Sequence, residues 1–94
     1  MIKIHLDNMA VFFEFESSWL GSMMYIGNNK FYFKYKATDG TEESVIFQAK
    51  DYLEAMRVAL SFICARGGRI GRACQMTTEM ILQGLALRNN TNMA

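Results

Sequence analysis

Apolar and polar residues alternate from the start of the chain. Ile2, Ile4 and Leu6 point one way and Lys3, His5 and Asp7 the other, which is the period-two pattern of a half-buried strand. Asp7-Asn8 is a turn signal. Ala10 to Glu16 reads as a second strand, with Val11, Phe13 and Phe15 inward and Glu14 and Glu16 outward. Phe12 breaks the pattern by facing the polar side. From Ser17 to Ile26 breakers and apolar residues are mixed. An irregular segment followed by a short strand is expected there, closed by a Gly27-Asn28-Asn29 turn, since glycine and asparagine tolerate positive φ.

Phe31 to Ala37 is the clearest strand. Phe31, Phe33 and Tyr35 share one face, and Lys30, Tyr32, Lys34 and Lys36 the other. Thr38-Asp39-Gly40 closes a hairpin onto Glu42 to Ala49. A two-residue loop would set Phe33 against Ile46. A three-residue loop with Gly40 left-handed sets Phe33 against Val45, Phe31 against Phe47 and Lys36 against Glu42. The second register joins aromatic to apolar and opposite charges to each other, so it is the one expected.

The period then changes. Asp51 is a good N-cap, and Glu54 three residues on completes a capping-box pair. Tyr52, Met56, Ala59, Leu60 and Ile63 form an apolar stripe, with Glu54, Arg57 and Ser61 facing away. Gly67-Gly68 ends this helix. A second helix lies within Arg69 to Leu87, where Ile70, Ala73, Cys74, Thr77, Ile81 and Leu85 follow helical spacing; Thr77 is an alternative cap for its start. The fold class that follows is α+β: an antiparallel β-meander of four to five strands (residues 2–49) packed by two C-terminal helices (about 51–66 and 69–88) in a single domain, 1–94.

Composition sharpens this picture. A chain of 94 residues buries only about 60–65% of its unfolded surface, so its core is thin. The chain compensates with 51% hydrophobic and 13% aromatic residues, and large rings remove the most area from water. A formal net charge of +1 excludes a broadly basic nucleic-acid binder and an acidic nucleic-acid mimic, so any charge argument is local. Apolar runs are too short to span a bilayer, and Lys3 is followed by alternation where a secretory leader would carry an apolar run. Cys64 and Cys74 match no secreted disulfide framework and are expected to be reduced and buried. The cytoplasm is the expected location.

The catalytic inventory is thin. His5, the single histidine, sits beside Asp7 on an outward strand face, a pair capable of acid–base work, but no motif places a nucleophile near it. Two cysteines ten residues apart and one histidine do not make a zinc site. Gly67 to Arg72 has glycines before a helix but lacks the Lys-Ser/Thr of a phosphate loop. No enzyme activity, metal or cofactor is therefore expected.

Three features suit binding. Arg66, Arg69 and Arg72 cluster at the helix–helix corner, with Arg57 two to three turns upstream on the first helix; arginine forks fit phosphate and carboxylate alike, and a corner of this kind also complements a helix C-terminal dipole. Lys30, Lys34 and Lys36 alternate with Tyr32, as on a sheet that stacks bases and meets phosphates, although lysines also guard strand edges. Phe12, Trp19, Met23, Met24, Tyr25 and Tyr32 exceed what one helical layer easily covers, so part of this set is expected either beneath the second helix or at an interface with a homodimer mate or a partner protein.

In size and element order alone, the chain resembles the small phage-encoded proteins that block a host machine by docking on it. The missing catalytic set, the surplus aromatics and methionines and the arginine cluster point the same way: a non-catalytic protein that occupies, and so inhibits or modulates, a larger protein or ribonucleoprotein, with Arg57, Arg66, Arg69, Arg72, Trp19 and Tyr25 as anchors. The alternative is a sequence-tolerant nucleic-acid-binding module using Lys30, Tyr32, Lys34 and Lys36 with the arginine corner.

Overall fold

The computed structural model describes residues 2–7, 10–37, 39–66 and 76–91, with helix side chains described up to residue 65 and from 76 to 87. Five strands, β1 (Lys3–Asp7), β2 (Ala10–Phe15), β3 (Ser18–Gly27), β4 (Lys30–Lys36) and β5 (Glu42–Gln48), precede two helices, α1 (Tyr52–Arg66) and α2 (Thr78–Thr91). The strands form one antiparallel sheet in the order β1-β2-β3-β4-β5. Each strand pairs with its neighbour in sequence, as expected of a meander, because short turns can join only antiparallel neighbours.

The expected β4–β5 register is present: Phe31 opposite Phe47, Phe33 opposite Val45 and Lys36 opposite Glu42. Its loop also takes the expected form. Gly40 adopts φ 88°, its N–H donates to the Ala37 carbonyl at 3.0 Å, and the Ala37 N–H donates to Thr41 O at 2.8 Å. The Asp39 carboxylate holds the turn by accepting from the Thr41 N–H at 3.0 Å and its hydroxyl at 2.6 Å. Those two donors keep the Asp39 carboxyl below its ordinary value.

The expectation for Ser17 to Ile26 needs correction. Ser18–Gly27 is one continuous strand, entered through a tight turn in which Glu16 and Ser17 both hold positive φ, 51° and 66°, the conformation that suits hairpin twist. Irregularity was expected because the alternation slips. Phe13 faces Gly21 while Glu14 faces Trp19, which leaves Leu20 as an extra residue in a β-bulge. Leu20 and Gly21 are therefore buried in succession, and the pattern changes phase within the strand.

The core lies between the sheet and α1. Val11, Phe13, Met23, Phe31 and Phe33 are fully buried on one sheet face, opposed by Tyr52, Ala55, Met56, Ala59, Leu60 and Ile63 of α1. Phe31 meets Tyr52 edge-on with ring centroids 5.1 Å apart, and Phe62 reaches Tyr35 at 5.7 Å and Phe33 at 6.2 Å. Each such pair adds about 0.5–1.5 kcal/mol beyond its buried area. The buried Tyr35 hydroxyl is satisfied by Glu43 Oε1 at 2.7 Å. Asp51 caps α1 as expected: its carboxylate accepts the Glu54 N–H at 2.9 Å, while Glu54 Oε1 accepts the Lys50 N–H at 3.0 Å.

Among the described residues the second helix is Thr78–Thr91; the expected start near residue 69 lies outside the described residues. The cap is Thr77, whose hydroxyl accepts the Met80 N–H at 3.1 Å and whose carbonyl accepts the Ile81 N–H at 3.1 Å. Its inward face differs from the expected one. Met80, Gly84 and Leu87 are buried, while Ile81 and Leu85 are half-buried, because α2 packs on α1 and needs a small residue at the contact. A Cβ on Gly84 would stand 3.2 Å from Leu53 Cα and 3.3 Å from Met56 Sδ. Cys64, expected as a reduced buried thiol, is half-buried and disulfide-bonded; Cys74 lies outside the described residues. Among the described residues no helix is long and apolar enough to cross a membrane.

Candidate protein-docking face

Both described helices lie on one side of the sheet or behind each other: α1 rests on β3 and β4, and α2 on α1. Among the described residues nothing lies on the opposite sheet face. Register identifies what that face carries. Asp7 pairs with Ala10, Ala10 with Met24, Met24 with Tyr32 and Tyr32 with Ile46, so these residues form one row across all five strands. Met24 is 49% exposed, Tyr32 37% and Ile46 62%, with Ile26 beside them at 47%. A second row runs His5, Phe12, Ser22, Lys34 and Ser44, in which the His5 and Phe12 rings lie 6.0 Å apart. The side chains of a third row, Lys3, Glu14, Trp19, Lys36 and Glu42, lie one pleat further along the strands.

Large apolar side chains normally go inward on a strand whose other face meets water. Here exposed apolar residues line up through paired strands, so they form a contiguous patch. The basic residues around it are exposed: Lys30, Lys34 and Lys36 alternate with Tyr32 on β4. Lys34 Nζ lies 3.3 Å from Glu42 Oε1, so this acid offsets part of the lysine charge.

The expected anchors are distributed over different surfaces. Trp19 is half-buried on the open face opposite Glu14. Tyr25 faces the helices, its ring 5.2 Å from Phe31 and 6.3 Å from Tyr52, and its hydroxyl accepts the Asn29 N–H at 3.3 Å. Arg57 is exposed on α1 and lines a pocket of about 200 Å³ with Lys50, Asp51, Leu53 and Glu54. Arg66 ends the same helix nine residues on, two and a half turns along, so its Cα sits on the opposite side of the helix from that of Arg57. Arg69 and Arg72 lie outside the described residues. Among the described residues, Lys30, Tyr32, Lys34 and Lys36 are brought together by the fold on a single surface.

Ile26 and Ile46 belong to this face but carry no chemical motif in the sequence. For Ile46 the signal was the register argument, which sets it beside Tyr32 on the outward side; Ile26 lay in the stretch to which the sequence assigned no face. Among the described residues no group of three or more His, Cys, Asp or Glu side chains is placed to hold a metal ion. His5 is exposed and packs against Phe12. Compared with known proteins, the chain matches no family model, no curated protein and no solved structure.

Proposed function

We propose that this is a non-catalytic binding protein that docks on a larger protein or ribonucleoprotein through the open face of its sheet, and so modulates it. The observation that carries this reading is the aligned exposure of Met24, Tyr32 and Ile46 across three paired strands on a face no described helix covers. Apolar and aromatic side chains at the centre of a patch, with charges at its rim, are the usual anatomy of a protein interface. Methionine adapts to an irregular partner surface, and tyrosine contributes a large contact area at small entropic cost. Relative to Arg57 on α1, this moves the working surface to the other face of the sheet.

The test is partner capture with two sets of variants. Met24→Lys, Tyr32→Glu and Ile46→Lys together should abolish capture while leaving the circular-dichroism spectrum and melting temperature in place. Arg66→Glu, Arg69→Glu and Arg72→Glu together should leave capture intact. The reverse outcome would return the site to the helix corner.

One observation favours a second reading. The alternation of Lys30, Tyr32, Lys34 and Lys36 on one exposed strand face suits single-stranded nucleic acid, with Tyr32 stacking on a base and the lysines on phosphates. It predicts binding to labelled single strands that weakens steeply with salt. The Lys34–Glu42 pair and the two aliphatic neighbours of Tyr32 weigh toward protein.

A further inference from the structure

The charged row of the open face has a symmetry that a general docking surface does not require. Read from β1 to β5 its members are Lys3, Glu14, Trp19, Lys36 and Glu42: plus, minus, ring, plus, minus. Reversed, the same row reads minus, plus, ring, minus, plus. This row is therefore complementary to its own inverted copy. We infer that a second copy of this chain packs on the open face, sheet against sheet, about a two-fold axis that runs along β3 in the plane between them. This inference rests on the reading of that face as an interface and names an occupant for it.

A two-fold along β3 keeps each row at its own level and exchanges β1 with β5 and β2 with β4. Lys3 of one copy then stands over Glu42 of the other, and Glu14 over Lys36, each pair occurring twice; Glu42, already 3.3 Å from Lys34 of its own chain, is shared between the two lysines. In the next row Phe12 meets the Lys34 ammonium, a cation–π arrangement. In the apolar row the small Ala10 receives the large Tyr32, Met24 meets its own counterpart on the axis, and Asp7 falls over Ile46 at the solvent-facing rim. Trp19 does the same at the charged end. An axis running across the strands would lay β4 on its own copy and so bring lysines of the Lys30, Lys34 and Lys36 set against one another. Packed sheets keep their strands within about 30° of each other, so the match is closest along the axis and long lysine and glutamate side chains span the remainder.

The size of the face sets the strength. Five strands at about 4.8 Å spacing and seven residues at about 3.3 Å each give roughly 20 by 23 Å, or roughly 450 Å² on each copy. The pair buries somewhat less than the ~1,000 Å² at which specific interfaces begin. An interface of that size fits a weak, exchangeable dimer. A partner that docks on this face displaces the second copy.

Sedimentation velocity over a concentration series, at low and at moderate salt, tests the inference. The wild-type chain should shift from monomer to dimer as concentration rises. Met24→Lys, which brings two ammonium groups together on the axis, should remove the dimer without changing the melting temperature. Glu14→Lys and Lys36→Glu should each weaken association about tenfold, and the double variant should restore it. Glu14 and Lys36 sit on β2 and β4 with β3 between them, so the rescue reads a contact between copies. A chain that stays monomeric at every concentration overturns the second copy as occupant, and the separate capture experiment still decides whether the face docks on another protein. A dimer that survives Met24→Lys, or a double variant no tighter than the single ones, also overturns it.

Discussion

Gly21 and the Phe33 ring occupy the same layer of the core so closely that no side chain fits between them. A Cβ built on Gly21 would stand 3.0 Å from Phe33 Cε1 and 2.9 Å from the Lys34 carbonyl oxygen. The second contact is with backbone, which cannot swing aside. Gly21→Ala therefore forces β3 and β4 apart next to the bulge. The expected loss is about 1–3 kcal/mol, the usual cost of overpacking, seen as a lower urea midpoint with an unchanged slope. An unaltered midpoint would mean that the sheet yields freely at this point.

Asp51 holds the start of the helix that covers the sheet. It is only 4% exposed and its carboxylate accepts the Glu54 N–H at 2.9 Å. Asp51→Ala removes the cap and leaves a donor unpaired near the core, at an expected cost of about 1–2 kcal/mol. That corresponds to a fall in Tm of about 4–8 °C per kcal/mol in a domain of this size. Asp51→Asn and Asp51→Ser should recover most of it, since either side chain offers an oxygen.

Alkaline pH should loosen the core at Tyr52. Burial, with Tyr25 close by, raises its hydroxyl above the ordinary value of 10.0, because the phenolate is poorly solvated there. The unfolded chain therefore loses this proton first. The contribution is complete below pH 10 and is lost as pH rises from about 10 through the folded-state value. Chemical denaturation from neutral pH to strong alkali should show stability falling in that window, and Tyr52→Phe should flatten this part of the decline. Identical pH profiles for the two chains would remove Tyr52 as the cause.

Reduction should destabilise the fold through Cys64. Its bond constrains the unfolded chain, a contribution of about 2–4 kcal/mol in typical cases. Reductant should lower Tm, and Cys64→Ser should reproduce the reduced value and become insensitive to reductant. In denaturant Cys64 should be unreactive to a thiol reagent before reduction and reactive afterwards. A reactive Cys64 at the outset would rule the bond out.

How far the sequence could be read depended on how local each signal was. Alternation along Phe31–Ala37, the Asp39-Gly40 turn and the Asp51–Glu54 cap are short-range devices, and each carries its own structural consequence within a few residues. From them came the antiparallel meander, the β4–β5 register and the first helix. The β3 strand could not be read this way. Its Leu20 bulge shifts the inward phase, and the Glu16-Ser17 turn uses residues with little intrinsic preference for positive φ. The ladders on both flanks hold that segment extended, and a single strand's own sequence does not encode its neighbours. The inward face of α2 was set in the same way by the approach of α1 at Gly84.

The candidate site divides along the same line. The sequence by itself determined that Lys30, Tyr32, Lys34 and Lys36 share a strand face, because side-chain alternation is a property of the extended backbone. It also determined that the chain carries more large apolar residues than one helical layer can cover. Only the tertiary structure decided which of these remain outside. Met23 went into the core and Tyr25 against α1, while Met24, Tyr32 and Ile46 were left in line on the open face. That outcome depends on α2 packing behind α1 instead of on the sheet, a choice made by contacts between residues more than twenty positions apart, where no periodicity in the chain can record it.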